Sequence, residues 1–467
     1  MEGEYTLRNF RLLVLVGAVA LGVFATGATA GGGGSSSEPQ LVDDSTMKAL
    51  SLTEGGASVL STTRTIPHWW GSTTDPHDGI TYGYNMVGAD PNHCSGSACD
   101  VTVQVDITPI IVNVGGRTFD GSGVVDAVLH SPQFALNDYG TTPAATGADV
   151  LGAAHPAGQP GCSTAYGDVC APRGAGGPLS QNDAGNLLQL QDATMRAQFN
   201  KTGSSNYHLR LEPHVTDPVT IDVPQNQGTL IVSGRGVVGG QVDYGWWSSR
   251  IKNLETKADP THLPLYLTDN IFLYLGNIPG NCCVIGYHGT FSTGLGHGPG
   301  AGNGNQPVQT FAWSSYVQPG FYARANGGTD WALQDIHALS HEIAEWADDP
   351  FVNNWVEPWL TPTAPQYGCT NILETGDPVV GIGFAMGTNT YFQNANPWVS
   401  PTDKTHTSIS YDGYYHPEDE ALLPWFLRLP PTATGSEPTQ SDPTAGRYTL
   451  MGDLNPYPGF RQPATGC

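Results

Sequence analysis

The chain has 467 residues, a formal net charge of −24 at pH 7, 60 glycines, 36 prolines and only 13% charged side chains. Such an acidic balance argues against nucleic acid and anionic membrane surfaces as partners. The glycine and proline content argues against a helical bundle and suits a loop-rich, strand-containing extracellular protein.

Residues 1–30 join Arg8 and Arg11 to an apolar run from Leu12 to Ala25 and a small-residue site at Ala28-Thr29-Ala30. That is the layout of a secretory signal peptide. The run is too short and too rich in glycine and alanine for a comfortable span, and no later segment is long and apolar enough to cross a bilayer. The expectation is a secreted protein, extracellular or periplasmic, with no membrane association beyond the export signal. Residues 31–75 open with "GGGGSSSEPQ", a flexible tether, and read as a linker, an ordered arm or a removable propeptide. Residues 76–350 read as a mixed α+β region, and 351–467 as a loop-rich C-terminal part.

In chain order, "VTVQVDITPIIVNV" (101–114) alternates and then runs apolar, a strand entering a core, with Pro109 marking a bulge or an edge position. Residues 137–178 read as loop. A helix is expected over 180–199, with Leu187, Leu190, Met195 and Phe199 near helical spacing and Ser180 or Asn182 as cap. "TLIVSG" and "LPLYLTDNIFLYL" (263–275) read as strands, with a helix in "VDYGWWSSRIKNLETKA" between them. A glycine-dense loop (294–307) precedes the helix "DWALQDIHALSHEIAEWADD", which Thr329 or Asp335 can cap and Pro350 stops. Without a strict βαβ rhythm, the class is α+β.

The eight cysteines lie in a compartment where disulfides persist. Cys94 with Cys99 and Cys162 with Cys170 form short local loops. Cys282 and Cys283 are adjacent, so each is expected to pair elsewhere, with Cys369 and Cys467 as partners. No C-x-x-C pair offers a cysteine zinc site.

The most informative stretch is H-E-x-x-E, His341 to Glu345, in a chain with only 13 glutamates. His341 and Glu345 are four residues apart, so both project from one helix face about 6 Å apart along the axis, spacing that lets two side chains grip one metal ion. Glu342 is turned by about 100° from His341, beside the site, where it can act as a base. His337 lies on the same stripe but about 12 Å from Glu345 along the axis, too far to share that ion. Leu339, Ile343 and Trp346 supply an apolar stripe, so this is not a solvated helix, and charges in a buried helix are paired or metal-bound.

The stretch resembles the active helix of zincin metallopeptidases, H-E-x-x-H, with Glu345 in place of the second histidine. It is also similar to secreted proteins with the same H-E-x-x-E, including the plant phosphate-induced (exordium-like) group. The zincin resemblance implies a mixed sheet with an active-site helix and one Zn2+ per chain held by His341 and Glu345. It implies Glu342 as general base and a third ligand downstream, for which "NILETGDP" offers Glu374 or Asp377. It further implies a histidine or tyrosine at the oxyanion, for which His288 or Tyr287 stand, and a peptide or protein substrate along an edge strand within 263–291. Two carboxylates and one imidazole cancel the zinc charge, so water there is less acidified than with two histidines.

Other clusters are softer. Asp348, Asp349, Asn353 and Asn354 offer oxygens for Ca2+, or simply end the helix and turn the chain. Glu418, Asp419 and Glu420 read as a helix start. No G-x-S-x-G supports serine chemistry. The reading is a secreted zinc-dependent metallopeptidase that hydrolyses peptide bonds with an activated water. Its rivals are a non-catalytic extracellular or cell-surface binding protein of the same fold and a glycoside hydrolase using Glu342 with Glu374.

Overall fold

The computed structural model describes residues 40–41, 53–54, 64–138, 187–199, 201, 205–233, 237–292, 307–318, 321, 335–361, 369–379, 386–391, 414–430 and 448–450. The expected signal peptide, the Cys162–Cys170 loop and the glycine-dense stretch 294–306 lie outside these residues, while the helix expected over 180–199 starts only at Leu190, with Gln189 at its N-cap and Leu187 paired to Asp138 in a short strand. No helix among the described residues is long and apolar enough to cross a membrane.

We number the strands β1 His68–Thr74, β2 Thr81–Val87, β3 Asp100–Val114, β4 Arg117–Asp120, β5 His208–Val215, β6 Val219–Asp222, β7 Gly228–Val232, β8 Val238–Asp243, β9 Leu263–Asp269, β10 Ile271–Tyr274, β11 Cys282–Val284, β12 Gly286–Ser292, β13 Val308–Tyr316, β14 Trp355–Leu360 and β15 Cys369–Ile372. The helices that matter are α1 Leu190–Gln198, α2 Tyr244–Glu255, α3 His337–Asp348 and α4 Leu423–Phe426. Helices and mixed sheets alternate without regular rhythm, so the chain is α+β.

The central sheet is built on β3. Its alternation places Val103, Val105 and Ile107 in one core, then shifts phase so that Ile110, Val112 and Val114 enter another. Successive side chains in a strand point to opposite faces, so one strand serves both faces of the sheet. Pro109 sits at the phase shift, inside the sheet rather than on an edge. There the partner changes from β5, parallel to residues 100–107, to β6, parallel to residues 110–113. A proline costs no ladder bond where the flanking strand is broken.

Onward from β3 the order is β9, then β13, both parallel, then β12 antiparallel to β13. Beyond β12 the chain's own Thr53–Glu54 pairs in parallel, Thr53 opposite His288 and Glu54 opposite Gly289. So part of 31–75 is ordered arm: it lies on the outer edge of β12, and His68–Thr74 is a full strand paired with β2.

A second sheet of β7, β8, β10 and β11, with Gln40–Leu41 at its edge, covers one face of the first. The stretch 263–275 feeds both sheets because Asn270, at φ 50°, turns the chain between β9 and β10. Asparagine tolerates that left-handed conformation better than most residues. Its Oδ1 accepts the Gln318 N–H at 2.8 Å, which holds the corner. Helix α2 buries Trp247 and Ile251 in the core between the sheets, and α3 covers the opposite face of the central sheet.

That second face carries the larger core. It runs from Ile66 and Trp69 through Leu339, Ile343 and Trp346 of α3 to Trp359, Trp425 and Phe426, so residues from the C-terminal part share it.

Asp269, at the end of β9, is 4% exposed, and burial raises its carboxyl to about 7, with a 3.1 Å hydrogen bond from Gln318 acting the other way. A carboxyl raised in the folded state favours folding fully below its unfolded value and loses that contribution as pH rises through the folded one. Asp269→Asn removes the loss. Its melting-temperature gain over the wild type is expected to be small near pH 4 and to grow towards pH 8, reaching on the order of 4 kcal/mol of stability. A gain independent of pH across that range would show that Asp269 does not titrate on folding.

Cys94 and Cys99 are bonded as expected. The expectation for Cys282 and Cys283 is corrected: they are bonded to each other. The peptide between them is cis, and their Cα atoms lie 3.0 Å apart, within reach of one bridge. Cys369 is disulfide-bonded as well.

Candidate metal centre

Every residue of α3 is buried. One side packs on β13 and β12, where the Trp346 Nε1–H donates to Thr310 Oγ1 at 2.9 Å. The other faces α1 and the segment 415–427. Asp335 does not cap the helix: Ile336 holds the N-cap position with no side-chain cap. Asp335 Oδ1 instead accepts the backbone N–H groups of Ile336 and His416, which ties the incoming C-terminal segment to the helix start.

The helical spacing delivers the pair the sequence implied. His341 Nε2 lies 3.0 Å from Glu345 Oε1. Glu342, on the neighbouring helix face, points to β12 and lies 3.5 Å from His288 Nδ1. His288 Nδ1 is also 3.4 Å from Glu345 Oε2. Glu345 therefore stands between two imidazoles, one on each oxygen.

Both downstream candidates arrive at the site, on different sides. Asp377 Oδ1 lies 3.8 Å from His341 Nε2. Glu374 groups instead with His288 and Glu345, whose ligand atoms all lie within 4.8 Å of one another. A second such group is His341, Glu342 and Glu345.

Two glycines let the chain come this close. A Cβ on Gly376 would fall on the His341 ring, and one on Gly286 would meet the Glu342 carboxylate.

Sequence reasoning missed Glu418. Read as a helix start, Glu418–Glu420 is a buried extended segment, and the short α4 begins only at Leu423. The physical reason is pairing: the Glu418 carboxylate faces His341 Nδ1 at 2.5 Å and His337 Nε2 at 3.2 Å, while its N–H donates to Ser340 Oγ. A carboxylate on Nδ1 orients the ring and leaves Nε2 for the site. Nothing local in "HPEDE" signals a partner 77 residues away.

Burial and neighbouring charge set the ionisation. Burial raises Glu342 to about 7. Burial also acts to raise Glu345, but the His341 and His288 charges outweigh it and hold the carboxyl well below its usual range. For His288 burial acts downward, and the Glu342 and Glu345 carboxylates reverse it, to about 9. His341 is likewise raised well above its ordinary value, by Glu345 and Glu418 against burial. Glu374 is raised well above the carboxylate range by burial first, then by Glu345, Asp377 and Asp349.

The residues fit a divalent cation. His341 Nε2, His288 Nδ1, Glu342 Oε2 and the Glu345 oxygens face one another at 3.0–3.5 Å, while His288 Nε2 and both Glu374 oxygens are buried without a hydrogen-bond partner. Orphaned polar atoms are rare in folded proteins and costly unless something compensates them. Imidazole and carboxylate donors suit zinc and neighbouring first-row divalent metals. Gln198 donates to Asp348, and Asp349 accepts the N–H groups of Asn353 and Asn354, so those residues end the helix and turn the chain.

No family model, no curated protein and no solved structure matches this chain.

Proposed function

We propose that the protein is a secreted, metal-dependent hydrolase of peptide bonds, with its metal on α3. The observation that supports this is the convergence of His341, Glu345, Glu342 and the downstream carboxylates into one group of imidazole and carboxylate ligand atoms. His341 and Glu345 would hold the metal, with Asp377 or Glu374 beside them, and Glu418 orients His341 from behind. When bound, zinc supplies Lewis acidity and lowers the pKa of water near it.

The chain's own contribution is proton transfer. Glu342, whose carboxyl burial raises, takes a proton from the water that attacks the scissile carbonyl and returns it to the departing amine. The substrate edge is β12, the strand beside Glu342, and a peptide pairing there displaces Thr53–Glu54.

Burial also favours a second reading. His341, Glu342 and Glu345 are 5%, 1% and 0% exposed, which suits a metal that braces a non-catalytic extracellular binding protein.

Elemental analysis of the purified protein separates these outcomes from a metal-free helix. Zinc is expected in the wild type and depleted in His341→Ala, and hydrolysis of a diverse peptide library is expected to stop with a chelator and return with zinc. Bound metal without hydrolysis supports the binding protein. No metal, and no uptake from added zinc, refutes both.

A further inference from the structure

We infer that this centre holds two divalent cations of the zinc or manganese class, bridged by Glu345. The inference rests on the metal reading of α3 and assigns two ligand sets where the H-E-x-x-E motif implies one.

The two oxygens of Glu345 are turned to different imidazoles, Oε1 to His341 at 3.0 Å and Oε2 to His288 at 3.4 Å. Each side has its own further carboxylate. Asp377 lies 3.8 Å from His341, and Glu374 joins His288 and Glu345 within 4.8 Å. The sequence offers Glu374 and Asp377 as rivals for one ligand position, and the structure sets Asp377 against His341 and Glu374 with His288 and Glu345. One cation is thus held by His341 and Glu345 with Asp377 facing His341, the other by His288, Glu345 and Glu374.

The second position is not an acidic cluster alone. His288 is fully buried on β12, its Nε2 lacks a hydrogen-bond partner, and its Nδ1 is aimed at Glu345 and Glu342. Neither oxygen of Glu374, 4% exposed, has a donor. Nitrogen and oxygen donors without thiolate select the class of ion.

The test is metal stoichiometry of the full-length, untagged protein after equilibration with Zn2+ and, separately, Mn2+, followed by removal of free ion. Two ions per chain are expected in the wild type. Glu374→Gln, which keeps the side chain's size, and His288→Ala are each expected to retain one, and Glu374→Gln combined with Asp377→Asn none. With Mn2+ the paramagnetic resonance spectrum is expected to be that of a coupled pair, collapsing to an isolated ion in Glu374→Gln. One ion per chain in the wild type, whichever variant loses it, overturns the second position and leaves the hydrolase reading intact. No ion at saturating metal overturns both.

Discussion

Glu342→Gln is expected to lower peptide hydrolysis by roughly a hundred- to ten-thousandfold, the usual contribution of a positioned base, while metal content stays at the wild-type level. Glutamine matches glutamate in size, so the close approach of Gly286 to this side chain is preserved. It differs in having no carboxylate to receive a proton, and burial raises that carboxyl above its ordinary range, which favours a group that takes up a proton and returns it. The measurement is kcat/KM beside metal per chain for the two proteins. Full hydrolysis in the variant would remove Glu342 as the base. Loss of metal together with activity would instead make Glu342 a ligand.

Gly376→Ala is expected to weaken metal binding by about 10- to 100-fold, as when the support of a ligand histidine is disturbed, and to destabilise the fold by about 1–3 kcal/mol, as overpacking does. The new methyl would fall on the His341 ring. That ring has no room to yield, being held by Glu418 on one nitrogen and facing Glu345 on the other. The readouts are a metal titration and a denaturant midpoint. Unchanged metal affinity with lowered stability would show that His341 is not a ligand.

How much of this was legible in the sequence depends on distance along the chain. The pairing of His341 with Glu345 is a property of one helix, and helical geometry alone implies it. The strands of 101–114 and 263–275 were legible from their apolar runs, because a buried strand needs them whatever its neighbours are. Which strand borders the site was not, since sheet order is decided by partners far apart in sequence. Glu418 illustrates the limit: its identity as a partner of His341 and His337 follows from a fold that brings residue 418 to α3, and a short acidic run looks the same at a helix start. Asp335 was misread for a similar reason, because a tertiary claim on its carboxylate outcompeted the local role of cap. Cys282 and Cys283 are expected to pair elsewhere on adjacency alone, and the structure bonds them to each other.

The short parallel pairing of Thr53–Glu54 with His288–Gly289 has a consequence for how any extended peptide meets β12. A strand attached to the same chain is present at an effective concentration set by its tether, typically in the millimolar range for short flexible linkers. An incoming peptide therefore meets an incumbent it cannot dilute away, and its apparent affinity falls in proportion to the time the incumbent spends in place. Severing the chain between that strand and Arg64, where the Arg64 carbonyl accepts from Val308 N–H, would turn the incumbent into a separate molecule and end its advantage. A peptide proposed to pair with β12 would compete with a covalently connected strand, and one cut is enough to change that competition.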